Sequence, residues 1–132
     1  IMHRAVPLVI SILVIAVSSG SVAQEMITPQ MTSLRLADVP AANMDDGREI
    51  RRVEAATLGV IRVAWPAGTV TEGHNHANEL IVVLLEGSLR AMSGNSEVLL
   101  SPGELVIFPA YVDHRYEALE DSVTLEAYGP GG

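Results

Sequence analysis

From Glu54 onward, short runs rich in β-branched and apolar residues are separated by turn residues about every eight to twelve positions. The same stretch shows no long helical periodicity, and such spacing is typical of a sandwich or small barrel of antiparallel strands. We therefore predict an all-β fold. The predicted strands are Glu49–Ala55, Leu58–Trp65, Leu80–Leu85, Ser88–Ser93, Glu97–Leu100, Leu105–Phe108, His114–Leu119 and Ser122–Tyr128.

The segments between these runs carry turn signatures. Gly94-Asn95 suits a tight primed hairpin turn, which needs positive φ. In Ser101-Pro102-Gly103-Glu104, proline and glycine take the central positions of a type II turn. Ahead of the strands, Ala37–Glu49 is rich in turn formers and is predicted to be loop, whereas Leu34-Arg35-Leu36 suggests a short strand.

Side-chain alternation predicts which residues of a strand share a face. Ile81 to Leu85 is apolar at every position, which favours a strand buried between two packed layers. In residues 122–128, polar and apolar side chains alternate instead. One face of this last strand carries Val123, Leu125 and Ala127, and the other carries Thr124, Glu126 and Tyr128.

The first 23 residues are predicted to be a secretory signal peptide. A weakly basic start precedes an apolar stretch, and Ser21 and Ala23 occupy the −3 and −1 positions of a cleavage site. An uncleaved membrane anchor is the alternative, but the 13-residue apolar core is short of the roughly 20 residues that a span needs. We therefore expect an exported protein, periplasmic or secreted, with an N-terminal extension over residues 24–48 and a barrel over residues 49–132.

Charge and composition exclude several functions. Residues 24–132 hold 7 arginines, no lysine and 16 acidic residues, so their formal charge is −9. Binding to nucleic acid or to an anionic membrane needs clustered positive charge, which is lacking. Without lysine or cysteine, Schiff-base chemistry, thiol nucleophiles, thiolate metal sites and disulfides are also excluded.

Three histidines, His74, His76 and His114, are the candidate metal ligands. On a strand, His74 and His76 would project to one face about 6.5–7 Å apart, which suits two ligands to one ion. His114 lies 38 residues beyond His76 and would complete the site if it points into the same barrel mouth. The alternative is that these are hydrogen-bonded core histidines.

Strand parity separates Glu79 from the histidines. Leu80 shares the parity of the first two histidines and Glu79 does not, unless Ala77-Asn78 bulges. Glu79 would then orient a histidine by accepting its second ring N–H, or be a solvated carboxylate at the rim. Glu72 could reach the mouth or be a surface charge. Tyr116 would line the pocket or fill the core.

From Gly68 to Ala127 the chain resembles a small single-domain cupin, a β-barrel of the jelly-roll kind. The first cupin motif is matched at Gly68, His74, His76 and Gly87, and the second at Gly103, Pro109 and His114. Three motif positions differ, because the glutamate, glycine and asparagine of the motifs are replaced here by Leu80, Tyr111 and Ala118.

The resemblance implies a divalent transition metal on His74, His76 and His114, and imidazoles alone do not choose among iron, manganese, nickel, copper and zinc. It also implies Lewis-acid or dioxygen chemistry on a small organic substrate, with a dioxygenase as the leading enzyme class. The alternatives are a small-ligand-binding module without turnover, with or without metal, and a metal-free barrel. Homodimers formed through a barrel face are common in such folds.

Overall fold

The computed structural model describes residues 29–130, which form an all-β fold with one 3₁₀ turn at Leu36–Asp38. The strands are β1 (Ala42–Asn43), β2 (Glu49–Glu54), β3 (Gly59–Trp65), β4 (Leu80–Glu86), β5 (Leu89–Ser93), β6 (Ser96–Leu100), β7 (Leu105–Phe108), β8 (Arg115–Ala118) and β9 (Ser122–Tyr128). Within the described residues, no helix is long and apolar enough to cross a bilayer. The predicted signal peptide and its cleavage site lie outside this range.

All eight predicted strands are present as β2 to β9, with ends that agree within one residue. The strand suggested at Leu34-Arg35-Leu36 is wrong, because the 3₁₀ turn begins at Leu36. Conversely, β1 forms inside the predicted loop by pairing Ala42 with Ile50 of β2. A two-residue strand has no alternation of its own, so only its hairpin partner reveals it.

The strands form two antiparallel sheets. The larger sheet has the order β1-β2-β3-β9-β4-β7, and the smaller sheet has the order β6-β5-β8. Together they make the predicted jelly-roll β-barrel. One core cluster draws on both sheets and comprises Ile61, Val63, Trp65, Leu80, Val82, Leu84, Leu89, Ala91, Leu100, Phe108, Tyr116 and Ala118.

Both predicted turns adopt the expected backbone geometry. Gly94 has φ 56° in the two-residue connection between the paired residues Ser93 and Ser96. Gly103 has φ 90°, and Glu104 N donates to Ser101 O at 3.0 Å. Positive φ at these two positions is what glycine tolerates best.

The outer face of the larger sheet is apolar and exposed. Strand β4 buries Leu80, Val82 and Leu84 but leaves Ile81 and Leu85 exposed. The prediction that β4 lies between two packed layers is therefore wrong, because the barrel has a single core on one side of this strand. Across the sheet on β7, Leu105 and Ile107 are 52% and 53% exposed. We call Ile81, Leu85, Leu105 and Ile107 the outer apolar patch.

Strand β9 directs its polar side chains inward. Ser122 and Thr124 are buried, whereas Val123 and Leu125 are only partly buried. The inward orientation of Thr124 is stabilised because the Trp65 indole Nε1–H donates to Thr124 Oγ1 at 2.9 Å inside the core. Since side chains alternate along a strand, Glu126 also lies on the inward face.

Candidate metal centre

Backbone hydrogen bonds join the connection between β3 and β4 to the segment that enters β8. Thr71 N donates to Tyr116 O at 2.9 Å. His74 and His114 exchange two bonds, at 3.1 Å from His74 N to His114 O and at 2.9 Å from His114 N to His74 O. A pair of residues that exchanges both bonds in an antiparallel bridge presents its side chains on the same side. Two histidines far apart in sequence therefore face one space.

The turn that leads into His114 contains a residue in an unfavourable conformation. Tyr111 has φ 63°, in the left-handed region that glycine tolerates and a tyrosine adopts at a cost of about 1–2 kcal/mol. It occupies the position of the glycine in the second cupin motif. Its backbone N–H donates to His76 O at 2.7 Å. This bond ties the backbone of His76 to the same turn.

The three imidazoles lie together. One potential ligand atom from each of His74, His76 and His114 lies within 4.8 Å of the others. The ring centroids are 4.5 Å apart for His74 and His114, 4.8 Å for His74 and His76, and 5.3 Å for His76 and His114. This grouping would allow one metal ion to bind a nitrogen of each ring, at the 2.0–2.1 Å metal–nitrogen distance usual for imidazoles.

Backbone carbonyls orient two of the three rings. The Nδ1 atoms of His74 and His114 each lie 3.0 Å from a carbonyl oxygen, that of Glu72 and that of Val112 respectively. If each Nδ1 carries the proton, each Nε2 presents a lone pair, as metal ligation requires. His114 is only 3% exposed, and its Nε2 is buried without a hydrogen-bond partner within residues 29–130. A buried nitrogen without a partner fits a metal ligand.

Burial and neighbouring charge favour the neutral form of His76 and His114. Burial lowers the pKa of His114, and the neighbouring histidines lower it further against the raising effect of its hydrogen bond to Val112 O. Burial, and to a lesser extent the electrostatic influence of His74 and Arg52, likewise lower the pKa of His76. Phe108 stacks on His114 with ring centroids 4.4 Å apart, which holds the ring in a largely apolar setting. Neutral imidazoles are the form that binds metal.

The remaining predicted site residues take different positions. Glu79 is exposed and stands outside the three-histidine group among the described residues. Leu80 is buried and lines the cavity beside the histidines, as its parity predicts. Glu72 has an exposed side chain, and it reaches the centre through its carbonyl. Tyr116 both fills the core and lines the cavity, with its ring centroid 5.6 Å from that of His114.

The histidines open onto a cavity of about 280 Å³ inside the barrel. Its apolar wall includes Trp65 and Leu80, and its charged residues are Arg48, Arg52 and Glu126. None of these three charged residues was among the predicted site residues. Each lies on the inward face of its segment, so strand parity would have found them if the inward faces of β2 and β9 had been known.

Glu126 is the acidic residue that lines the cavity, and the pKa of its carboxyl group is strongly raised. Burial raises its pKa from the usual 4.5 to about 7, against the lowering effect of Arg48 and Arg52. No salt bridge joins Glu126 to either arginine within the described residues. A carboxyl group that titrates near neutral pH suits proton transfer.

Comparisons with known proteins agree with this architecture. A family model described as "Cupin domain" matches residues 61–128. The structure is similar to KdgF from a Halomonas species, with a TM-score of 0.67, 21% identity, and coverage of 73% of this chain and 92% of that chain. It is also similar to an RmlC-like cupin from Shewanella frigidimarina, with a TM-score of 0.70, 14% identity, and coverage of 78% and 93%.

A third similar structure is oxalate decarboxylase from Bacillus subtilis, which contains Mn(II) centres. Its TM-score is 0.69 at 19% identity, and the match covers 82% of this chain but only 32% of that chain. At these identities the three structures show a shared fold. No curated protein sequence matches the chain.

We expect Glu126→Gln to stabilise the metal-free protein at about pH 8 by the order of 1–3 kcal/mol relative to wild type. The carboxyl binds its proton more tightly in the folded state, since its pKa is raised from 4.5 to about 7. Wild type therefore loses stability as the pH rises through this window, and the variant lacks this loss. Urea unfolding at about pH 4.5 and pH 8 measures the difference.

The exposed Glu79→Gln is the matched control and should show no such pH-dependent difference. The histidines are present in both proteins, so their titration cancels in the comparison. An effect of Glu126→Gln that is equal at both pH values would contradict a raised pKa.

Proposed function

The chain belongs to the cupin family, and we propose that it binds one divalent transition metal through His74, His76 and His114 and acts on a small organic molecule in the adjoining cavity. The observation that carries this proposal is the buried Nε2 of His114, which has no hydrogen-bond partner among residues 29–130 and faces two further imidazoles. The Mn(II) centres of the similar B. subtilis oxalate decarboxylase add support. A bound ion of this kind supplies a Lewis acid and, for iron, manganese, nickel or copper, redox chemistry with dioxygen.

The protein's own residues would hold and shield this centre. The carbonyls of Glu72 and Val112 orient two of the imidazoles. Phe108 and Leu80, both buried, exclude water from one side of the histidines. Leu80 also stands where the first cupin motif has its acidic ligand, so the donor set is three neutral nitrogens.

For the reaction we propose dioxygenase-type oxidation of a small organic substrate. The competing proposal is a binding module without turnover. Glu126 weighs toward catalysis, because a carboxyl group with a pKa of about 7 lines the cavity and could give or take a proton.

Export remains a prediction from the N-terminal sequence, and N-terminal sequencing of protein recovered outside the cytoplasm would test cleavage after Ala23.

We expect protein purified from its native compartment to contain close to one equivalent of transition metal by elemental analysis. His114→Ala and the double variant His74→Ala/His76→Ala should lose it, because each removes direct donors. Glu79→Gln is the matched control and should keep near-stoichiometric metal, since that side chain is exposed and outside the cluster. Wild type with metal well below one equivalent would refute the metal centre.

Oxygen-electrode measurements on the metal-loaded protein test the reaction class. With a panel of diketones, catechols, flavonols and thiols, a dioxygenase should consume oxygen with at least one member. The uptake should disappear in His114→Ala. Saturable binding of a panel member without oxygen uptake would favour the binding module, and no uptake across the panel would count against the dioxygenase.

We also propose that the protein forms a homodimer through the outer apolar patch. Its four residues lie on the adjacent strands β4 and β7 and are exposed, whereas monomeric proteins rarely expose large contiguous apolar areas. Sedimentation should give twice the monomer mass for wild type and the monomer mass for Ile107→Glu. Leu99→Glu, at an equally exposed position of the smaller sheet, should remain dimeric. If Leu99→Glu dissociates the dimer and Ile107→Glu does not, the interface is not the outer apolar patch.

A further inference from the structure

One end of the cavity contains a guanidinium that is held in place before any ligand binds. Arg48 Nε donates to Asp46 Oδ2 at 2.7 Å, and Arg48 N donates to Asp46 Oδ1 at 3.1 Å. The Arg48 Cζ lies 5.2 Å from the centroid of the Trp65 ring. Among the hydrogen bonds of residues 29–130, the side chain of Arg48 uses only Nε. Its two terminal nitrogens are thus available to bind a ligand in the cavity. The guanidinium plane that carries them is already oriented by the bond from Nε.

Tyr116 brings a buried donor to the same end of the cavity. Its ring packs against Trp65 with centroids 5.3 Å apart, so Arg48 and Tyr116 share one neighbour. Tyr116 is only 3% exposed, and its hydroxyl is buried without a hydrogen-bond partner within the described residues. A buried hydroxyl without a partner destabilises the protein. A ligand oxygen in the cavity would satisfy it.

The charge of the cavity opposes that of the whole protein. The chain has a formal net charge of −8, yet Arg48 and Arg52 both line the cavity and Glu126 is the single acidic residue of its wall. Arg52 stands at the exposed side, where its Cζ lies 5.8 Å from the centroid of the Tyr128 ring. A cleft lined by cations within an acidic surface concentrates anions.

We propose that the cavity binds a small organic carboxylate, whose carboxylate group pairs with the terminal nitrogens of Arg48 and accepts a hydrogen bond from the Tyr116 hydroxyl. The proposal rests on the proposed function in that ligand and metal share one cavity, and it names the substrate class. Arg52 adds attraction at the entrance, and Glu126 lies near enough to Arg48 and Tyr116 to interact electrostatically with both.

A carboxylate fits the site better than a phosphate. The carboxylate is planar and matches the guanidinium fork with two parallel hydrogen bonds. It also carries a single negative charge, whereas a phosphate dianion would face stronger repulsion from Glu126 once that group ionises. The cavity of about 280 Å³ admits an aromatic or short aliphatic acid against the apolar side of Trp65 and Ile61.

Isothermal titration with benzoate, its neutral isostere benzamide, and inorganic phosphate tests this assignment on metal-free and metal-loaded protein. We expect benzoate to bind at least about tenfold more tightly than benzamide, because charge-assisted hydrogen bonds are stronger than those between neutral groups. Arg48→Gln should abolish this preference. Arg62→Gln is the matched control on the outer side of β3 and should leave it unchanged, since Arg62 alternates with the inward-facing residues.

Tyr116→Phe provides a second signature that does not depend on the Arg48 variant folding. We expect it to weaken benzoate binding about fivefold to tenfold, consistent with the loss of one hydrogen bond. The same change should leave the ligand-free protein equally or more stable, because it removes a buried hydroxyl without a partner. A merely structural hydroxyl would instead lower stability and leave benzoate affinity unchanged.

Three results would overturn the inference. These are equal affinity for benzoate and benzamide, tighter binding of phosphate than of benzoate, and no saturable benzoate binding by either form of the protein. Metal analysis of the same samples keeps the two proposals apart. Benzoate selectivity in a protein that takes up no metal when metal is supplied would refute the metal centre and sustain the carboxylate site. Metal at one equivalent without benzoate selectivity would refute the carboxylate site and sustain the metal centre.

Discussion

The reciprocal backbone hydrogen bonds between His74 and His114 determine how the rest of the centre is arranged. They join the connection that precedes β4 to the segment that precedes β8, and so place two imidazoles on the same side. His76 lies two residues further on, and its carbonyl oxygen accepts a hydrogen bond from Tyr111 N–H. The centre thus depends on contacts between segments about 40 residues apart. Any ion bound there would crosslink the same segments, in a chain that has no cysteine for a disulfide.

Local patterns in the sequence were sufficient to predict β2 to β9 and the three histidines, but not β1. Turn residues mark the strand ends, and the spacing of His74 and His76 places both on one face where the backbone is extended. The inward or outward orientation of a strand is different, because it depends on what packs against it. β9 carries its more apolar face outward, and β4 is apolar on both faces but covered on one. For this reason Glu126, Arg48 and Arg52 could not be assigned to the cavity from the sequence.

The replacement of an acidic ligand by Leu80 changes the electrostatics of the whole cavity. A carboxylate ligand would cancel part of the charge of a divalent ion, whereas three neutral imidazoles leave it in full. Together with the two arginines, such an ion would give the cavity a strongly positive potential. The arginines of the cavity and the three-nitrogen donor set therefore both favour the binding of anionic ligands. The apolar side chain of Leu80 also keeps that side of the centre dry, which strengthens electrostatic interactions there.

The inward polar face of β9 has a consequence for how the barrel is assembled. A slip of one residue would exchange Ser122, Thr124 and Glu126 for Val123 and Leu125, and hydrophobic burial alone favours the slipped arrangement. The native pairing is selected by specific polar contacts, namely the Trp65 indole bond to Thr124 and the Ser122 Oγ bonds at the end of the strand. A register irregularity between Leu84 and Glu86 of the neighbouring strand also pins the alignment. The barrel therefore folds against a competing register, and the residues that give the cavity its chemistry are those that burial alone would place on the outside.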